Sequence, residues 1–184
     1  ATYLRRLARE HPQSQTVLTE LGLANVAPRD TATVPLTDYF GLLRAVDRCR
    51  GDRGWHLGLG LRTADHFHGS LTFALMSAPT IGDGLEAFSH YVSIRAPHFA
   101  CTIRQAESRH FIVLTETIDL GDVRRILVEV GFSVLHDYVA SIGDVNLSAA
   151  TVYLAHRKKS DDNYYDAGFN CSVRFAHPEN ALAI

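Results

Sequence analysis

The chain has 184 residues, of which 46% are hydrophobic and 21% charged, and its formal net charge is -2. This length and composition allow a substantial core and are typical of one globular domain. The charge excludes a basic field that would hold nucleic acid phosphates, and no apolar run reaches the roughly 20 residues of a membrane helix, so we expect a cytoplasmic protein without membrane contact.

The first half of the chain follows a helical period. Apolar residues at spacings of three and four predict a first helix after Ser14 and a second helix over 35–50. The segment 54–67 predicts a short third helix, and a fourth helix follows until Pro79. The N-terminal half is therefore expected to be mainly helical.

A fifth helix has a clear start signal. Thr80 and Asp83 form a capping pattern, in which the hydroxyl accepts a hydrogen bond from an exposed backbone N–H and the carboxylate complements the positive end of the helix. The pattern predicts a helix that begins near Ile81 and ends before Pro97.

From residue 99 onwards the period changes from 3.6 to two. The segments 99–106 and 110–117 are rich in β-branched residues and predict an antiparallel hairpin. The segment 121–143 is the longest helical pattern, and it is apolar enough to lie against a sheet or another subunit.

Three short elements complete the predicted plan. We expect a third strand within 146–156, a short helix capped by Ser160 and ended by Gly168, and a fourth strand over 171–176. The predicted fold is α+β: a helical N-terminal half packs on a small, mainly antiparallel sheet of about four strands, with a long helix between strands two and three. A single domain is expected over residues 1–184, because no linker or repeat divides the chain.

The sequence contains only incomplete versions of two motifs that are common in enzyme sites. The glycines of LGLGLRT at 57–63 lack the third glycine and the preceding strand of a dinucleotide loop, and GFSVL at 131–135 lacks the second glycine of a nucleophile elbow. The sequence therefore predicts neither an enzyme nor a bound cofactor.

Two histidines leave a metal site open as an alternative. On an extended segment, His66 and His68 point the same way and can share an ion. The same two histidines are also compatible with a loop in which the imidazoles are hydrogen-bonded or solvated. No cysteine or carboxylate cluster lies nearby in the sequence.

Arg95 is the leading candidate for contact with a ligand. Its stem continues the apolar stripe of the fifth helix, so its guanidinium reaches the edge of that stripe, where it can bind a ligand carboxylate or pair with a surface acid. Aromatic residues nearby serve equally well as core or as the wall of a pocket. The candidate binding set is Arg95, Tyr91, His98, Phe73, Met76 and His68.

The order of these features resembles one family. The stretch from VPLTDYFGLLRAV through SAPTIGDGLEAFSHY, and the ending FNCSVRFAHPENALAI, are similar to the N-terminal domain, often labelled arabinose-binding, of AraC-type bacterial transcriptional regulators. The resemblance covers roughly residues 15–184. No single piece is diagnostic, but their order and spacing together point to this family.

The resemblance implies a module that senses an effector and forms a homodimer. In the family, DNA is bound by a C-terminal pair of helix-turn-helix motifs, so we expect DNA contact only through such a domain, absent from this chain. The effector is an unknown small molecule, and the family label does not make it arabinose. The cupin barrel of the sugar-responsive regulators is not expected, because the first hundred residues read as helices.

Further expectations concern the dimer and the alternatives. The long helix, over 123–142, is the predicted dimer surface if it exposes an apolar face. A metal or haem sensor built on the surplus histidines is the alternative function, and a hydrolase with an unrecognised Ser/His pair is a third.

Overall fold

The computed structural model describes most of the chain, in two compact units, Ala1–Trp55 and His56–Ile184. The described residues are 13–24, 34–50, 53–60, 77–106, 108–142, 147–160 and 163–184. The expectation that residues 1–184 act as one domain stays a prediction.

Among its described residues, the first unit holds a pair of helices, α1 (Gln13–Glu20) and α2 (Leu36–Cys49). Both were predicted from apolar spacing, and the buried residues are those that repeat with the helical period, such as Leu18 and Leu43. Gly22 ends the first helix with a φ of 68°, a conformation that glycine adopts without strain.

The second unit combines four helices and five strands among its described residues. The helices are α3 (Leu57–Gly60), α4 (Ile81–Arg95), α5 (Arg124–Ile142) and α6 (Tyr165–Phe169). The strands are β1 (Phe99–Ala106), β2 (Arg109–Glu116), β3 (Thr151–Tyr153), β4 (Ser172–Arg174) and β5 (Asn180–Ala183). Short 3-10 turns at Gly121–Val123 and Leu147–Ala149 precede α5 and β3. The predicted α+β class is confirmed.

Helix α4 begins where its capping pattern predicted. The Thr80 hydroxyl accepts a hydrogen bond from the backbone N–H of Asp83 at 3.1 Å and donates one to the Asp83 carboxylate at 2.6 Å. The cap therefore satisfies one of the N–H groups that the first helical turn leaves without a backbone acceptor.

The sheet has the order β1-β2-β5-β3-β4. Strands β1 and β2 form the predicted antiparallel hairpin, in continuous register from Phe99 opposite Glu116 to Ala106 opposite Arg109. Strand β5 was not predicted. It lies in the centre, antiparallel to both β2 and β3, whereas β3 and β4 are parallel.

Helix α5 is the centre of the second unit. It is buried over most of its described length, and a Cβ added to Gly131 would lie 3.1 Å from Leu114 of β2, so the helix packs closely on the sheet. The expectation that α5 exposes an apolar face to a partner is therefore wrong, because its apolar residues are used in the core.

The boundaries of the short helix α6 also differ from the prediction. The helix starts at Tyr165, not after Ser160, and Gly168 lies inside it. A Cβ on Gly168 would collide with the side chain of Leu57, so this glycine permits close packing, and Asn170 supplies the left-handed residue that ends the helix, with a φ of 49°. Residues 61–76, which include most of the predicted fourth helix, lie outside the described residues.

Candidate functional site

A buried carboxylate organises the polar side chains of the second unit. Glu129, on α5, has no solvent-exposed surface. Five side chains converge on it, and together they form what we call the Glu129 cluster. Its members are Glu129, His56, Arg125, His156, Tyr164 and Tyr165.

Both carboxylate oxygens have several partners. Oε2 lies 2.6 Å from Nε2 of His56 and accepts a hydrogen bond from the Tyr164 hydroxyl at 3.2 Å. Oε1 accepts from the Tyr165 hydroxyl at 2.7 Å and lies 3.0 Å from Nε2 of His156. Hydrogen bonds to an ionised group are shorter and stronger than those between neutral groups, so the carboxylate is held from several directions.

Arg125 ties the cluster to the tyrosines. It stands one turn before Glu129 on the same helix face, and its Nε donates to Oε1 of Glu129 at 2.9 Å. Its Nη2 donates to the hydroxyls of Tyr164 at 2.8 Å and Tyr165 at 2.9 Å. The planar guanidinium thus fixes the positions of three oxygen-bearing side chains.

The cluster joins parts of the chain that are distant in sequence. His56 directly precedes α3, Arg125 and Glu129 lie on α5, His156 follows β3, and the tyrosine pair lies at the start of α6. The close packing of α3 on α5 brings His56 into reach. A Cβ on Gly60 would lie 2.7 Å from the backbone nitrogen of Val134, which leaves no room for a side chain there.

Burial and hydrogen bonding act in opposite directions on Glu129. Burial alone would raise the pKa of this carboxyl, but hydrogen bonds from His156 and His56, the charge of His56 and the hydrogen bond from Tyr165 together hold its pKa well below the usual range. The stabilisation from ionised Glu129 is fully present above the ordinary glutamate pKa of about 4.3 and is lost as the pH falls through its lower folded-state pKa. Burial and the neighbouring Glu129 raise the pKa of Tyr165, which keeps its hydroxyl a donor.

The cluster reaches the surface at a basic and aromatic rim. The side chains of Arg125 and His156 are each 22% exposed. Beside them the ring of Phe175 lies 5.9 Å from that of His156, and the ammonium group of Lys158 stands 5.7 Å from the Phe175 ring centre. This rim can contact an anionic or aromatic ligand, whereas Glu129 behind it has its acceptor positions occupied.

Comparison with known proteins decides the family. The model of the arabinose-binding domain of AraC transcription regulators, N-terminal, matches residues 13–184. The chain belongs to this family. Among curated proteins, none matches the sequence.

A solved structure shares the fold of this AraC-type domain. The crystal structure of the transcriptional regulator CdpR from Pseudomonas aeruginosa superposes with a TM-score of 0.61 at 17% identity. The match covers 95% of this chain and 54% of that chain, so the AraC-type domain spans about half the length of the regulator. Among the described residues, no helix is long and apolar enough to cross a membrane.

Three of the predicted ligand contacts in this AraC-type domain lie at the end of α4. Arg95 is exposed, Tyr91 is half-buried and His98 is buried, with its ring 4.7 Å from that of Phe99. Burial lowers the pKa of His98 to about 4. Their role in ligand binding stays a prediction.

The other predicted contacts, Phe73, Met76 and His68, lie outside the described residues, as does His66. Within the part of the AraC-type domain that the structure describes, no group of histidine, cysteine, aspartate or glutamate side chains has the geometry to hold a metal ion. The histidine pair of the metal alternative therefore stays untested.

The Glu129 cluster was not predicted from the sequence. A signal was nevertheless present, because Arg125 and Glu129 are an i, i+4 pair of opposite charge, and Glu129 lies between the apolar residues Val128 and Val130 of the helix. A charged residue at such a position must be paired to be buried. Its partners come from distant segments, which a helical period does not identify.

Proposed function

We propose that this chain is the regulatory part of a cytoplasmic transcription regulator. In this proposal the domain binds a small-molecule effector, forms a homodimer and controls transcription through a DNA-binding domain outside this chain. The family match over residues 13–184 carries the proposal. The fold shared with a regulator about twice as long is consistent with a further domain in the full protein.

The Glu129 cluster supports a regulatory role because it connects separate elements through one buried charge. An effector controls a protein only by binding two of its states with different affinity. A ligand that takes a hydrogen bond from Arg125 at the rim, or from its half-buried partner Tyr164, changes the free energy of the cluster, and with it the packing of α6 against α5. The cluster is thus the proposed link between ligand binding and conformation.

Two surfaces are proposed for first contact with the effector. One is the rim beside Arg125 and His156, which offers cationic and aromatic groups. The other is the end of α4, where Arg95, Tyr91 and His98 were predicted to hold a carboxylate, with Phe73, Met76 and His68 as further proposed contacts. Both favour an effector that carries an acidic group.

A thermal-shift screen against metabolites of different charge tests the proposal. A ligand at one hundred times its Kd stabilises the folded state by about 2.7 kcal/mol, which raises the melting temperature measurably. We expect an acidic compound to give such a shift. The absence of any shift across carboxylates, amino acids, sugars, polyamines and fatty acids would count against effector binding.

Three variants then locate the site. Loss of the shift in Arg125→Ala, but not in Arg95→Ala, assigns the rim, and the reverse result assigns the end of α4. The exposed Arg48, on α2, serves as the control, since Arg48→Ala removes one positive charge from a surface that we do not propose for binding. An equal loss in all three variants would indicate general attraction by charge and no specific site.

A further inference from the structure

We propose that two copies of this domain join through strand β1, which pairs antiparallel with its own copy about Ile103 and continues the sheet across the dimer. This inference rests on the proposed function, because it names the surface for the dimer included there. It replaces α5, which is buried, with a strand that has a second strand on one side only in the described part of the chain.

Among the residues that the structure describes, strand β1 is an open edge of the sheet. In the order β1-β2-β5-β3-β4, only β2 pairs with it among the described residues. The strand is eight residues long, its register with β2 is unbroken by a bulge, and it contains no proline. Its one charged residue is Arg104, which forms an ion pair with Glu179. Natural edge strands are usually protected by charges, prolines, bulges or short length, and β1 has little such protection.

The register shows which backbone groups point away from the sheet. His110 of β2 exchanges both of its backbone hydrogen bonds with Ile184, on the β5 side. Because these bonds alternate along an antiparallel strand, the odd-numbered residues of β2 face β1 and bond to the even-numbered residues of β1. The N–H and C=O groups of Cys101, Ile103 and Gln105 therefore point outward.

These three residues are arranged symmetrically about Ile103. Antiparallel pairing centred there places Ile103 opposite Ile103 of the partner subunit and Cys101 opposite Gln105 of the partner subunit. Each outward group of these three residues then has a partner, for a total of about six inter-subunit hydrogen bonds. A register centred on Cys101 uses fewer groups, because it would require Phe99, whose N–H already donates to the carbonyl of Ala96.

The side chains fit the same register. Arg104 falls opposite Thr102 of the partner subunit, so the two arginines are not directly opposed. Ile103 pairs with its own copy, and β-branched pairs are favourable between strands. A two-fold contact in which β1 meets β1 uses the same surface on both subunits, so the assembly stops at two and does not extend into a filament.

A proline substitution tests the pairing. Ile103→Pro removes an N–H that points outward, so the β2 ladder keeps its hydrogen bonds, and edge strands tolerate proline at such positions. We expect the wild type to sediment as a dimer at high micromolar concentration and Ile103→Pro to sediment as a monomer with the same far-UV circular dichroism. Ile103→Val keeps the N–H and should remain dimeric.

A crosslink tests the register without relying on the fold of the proline variant. In Gln105→Cys, the new thiol lies opposite Cys101 of the partner subunit, and paired residues of this kind have Cα atoms about 5.5 Å apart, within the range for a disulfide. Oxidation should give a covalent dimer in Gln105→Cys and none in Gln105→Ser.

The outcomes separate this inference from the proposed function. Three results together would overturn the β1 pairing and leave dimerisation intact: the wild type is dimeric, folded Ile103→Pro is also dimeric, and Gln105→Cys gives no crosslink. A monomeric wild type would overturn both the pairing and the dimer. Effector binding is read separately by the thermal-shift screen and depends on neither result.

Discussion

Replacing Glu129 by glutamine is the sharpest test of the buried cluster. The amide has nearly the same shape as the carboxylate, but it carries no charge, and its NH₂ group would face donors from the histidines and tyrosines. Breaking a buried ion pair by removal of one partner costs about 3–5 kcal/mol, because the other charge stays behind with poor solvation. The Arg125 guanidinium is 22% exposed, so water relieves part of this cost and we expect about 3 kcal/mol for Glu129→Gln.

Urea unfolding followed by circular dichroism at neutral pH measures this loss, and the chain offers a matched control. Glu116 also accepts a hydrogen bond from an arginine, Arg124, at 2.9 Å, but the Arg124 side chain is 56% exposed. Exposed pairs contribute about 0–1 kcal/mol, so Glu116→Gln should change stability little. If both variants lose the same small amount, the argument that the Glu129 cluster stabilises the second unit is wrong.

Three further predictions test separate parts of the structure. Gly60→Ala should destabilise the protein by about 1–3 kcal/mol because its Cβ meets the α5 backbone, whereas Gly58→Ala, with open space around it, should be neutral or slightly stabilising in the same unfolding assay. Burial lowers the pKa of His98 to about 4, whereas the pKa in the unfolded state is the ordinary histidine value of about 6.5. Between about pH 4 and pH 6.5, the unfolded state therefore binds a proton at this histidine that the folded state does not. Stability should therefore fall by about 2 kcal/mol more from pH 7 to pH 5 in the wild type than in His98→Gln, and equal slopes would refute the assignment. Thr80→Ala should cost about 1 kcal/mol by loss of the α4 cap, measured as a lower urea midpoint at unchanged slope.

The elements that were predicted correctly carry their own local signals. The cap of α4 needs only Thr80 and Asp83, which are three residues apart, and the β1–β2 hairpin needs only two adjacent runs of β-branched residues. Helix α5 is likewise predicted by the length of its segment and by the spacing of its apolar residues. These structures depend on neighbours in the sequence, so the sequence is sufficient to place them.

The features that were missed depend on distant contacts. Strand β5 consists of one asparagine, two alanines and one leucine, a composition with weak strand preference, and it forms because β2 and β3 pair with it on both sides. Gly168 looks like a helix terminator until Leu57 is seen against it. The partners of Glu129 come from positions up to 73 residues away, as His56 does, so no local period identifies them.

Titration calorimetry with the acidic compound selected by the thermal-shift screen measures directly whether this domain binds an effector. We expect a saturable heat of binding to the wild-type protein, the same affinity in Arg48→Ala, and an affinity at least tenfold weaker in Arg125→Ala or Arg95→Ala. Heats that do not saturate, or that are the same in all of these proteins, would contradict the assignment of this chain as an effector-binding domain with its site at either surface.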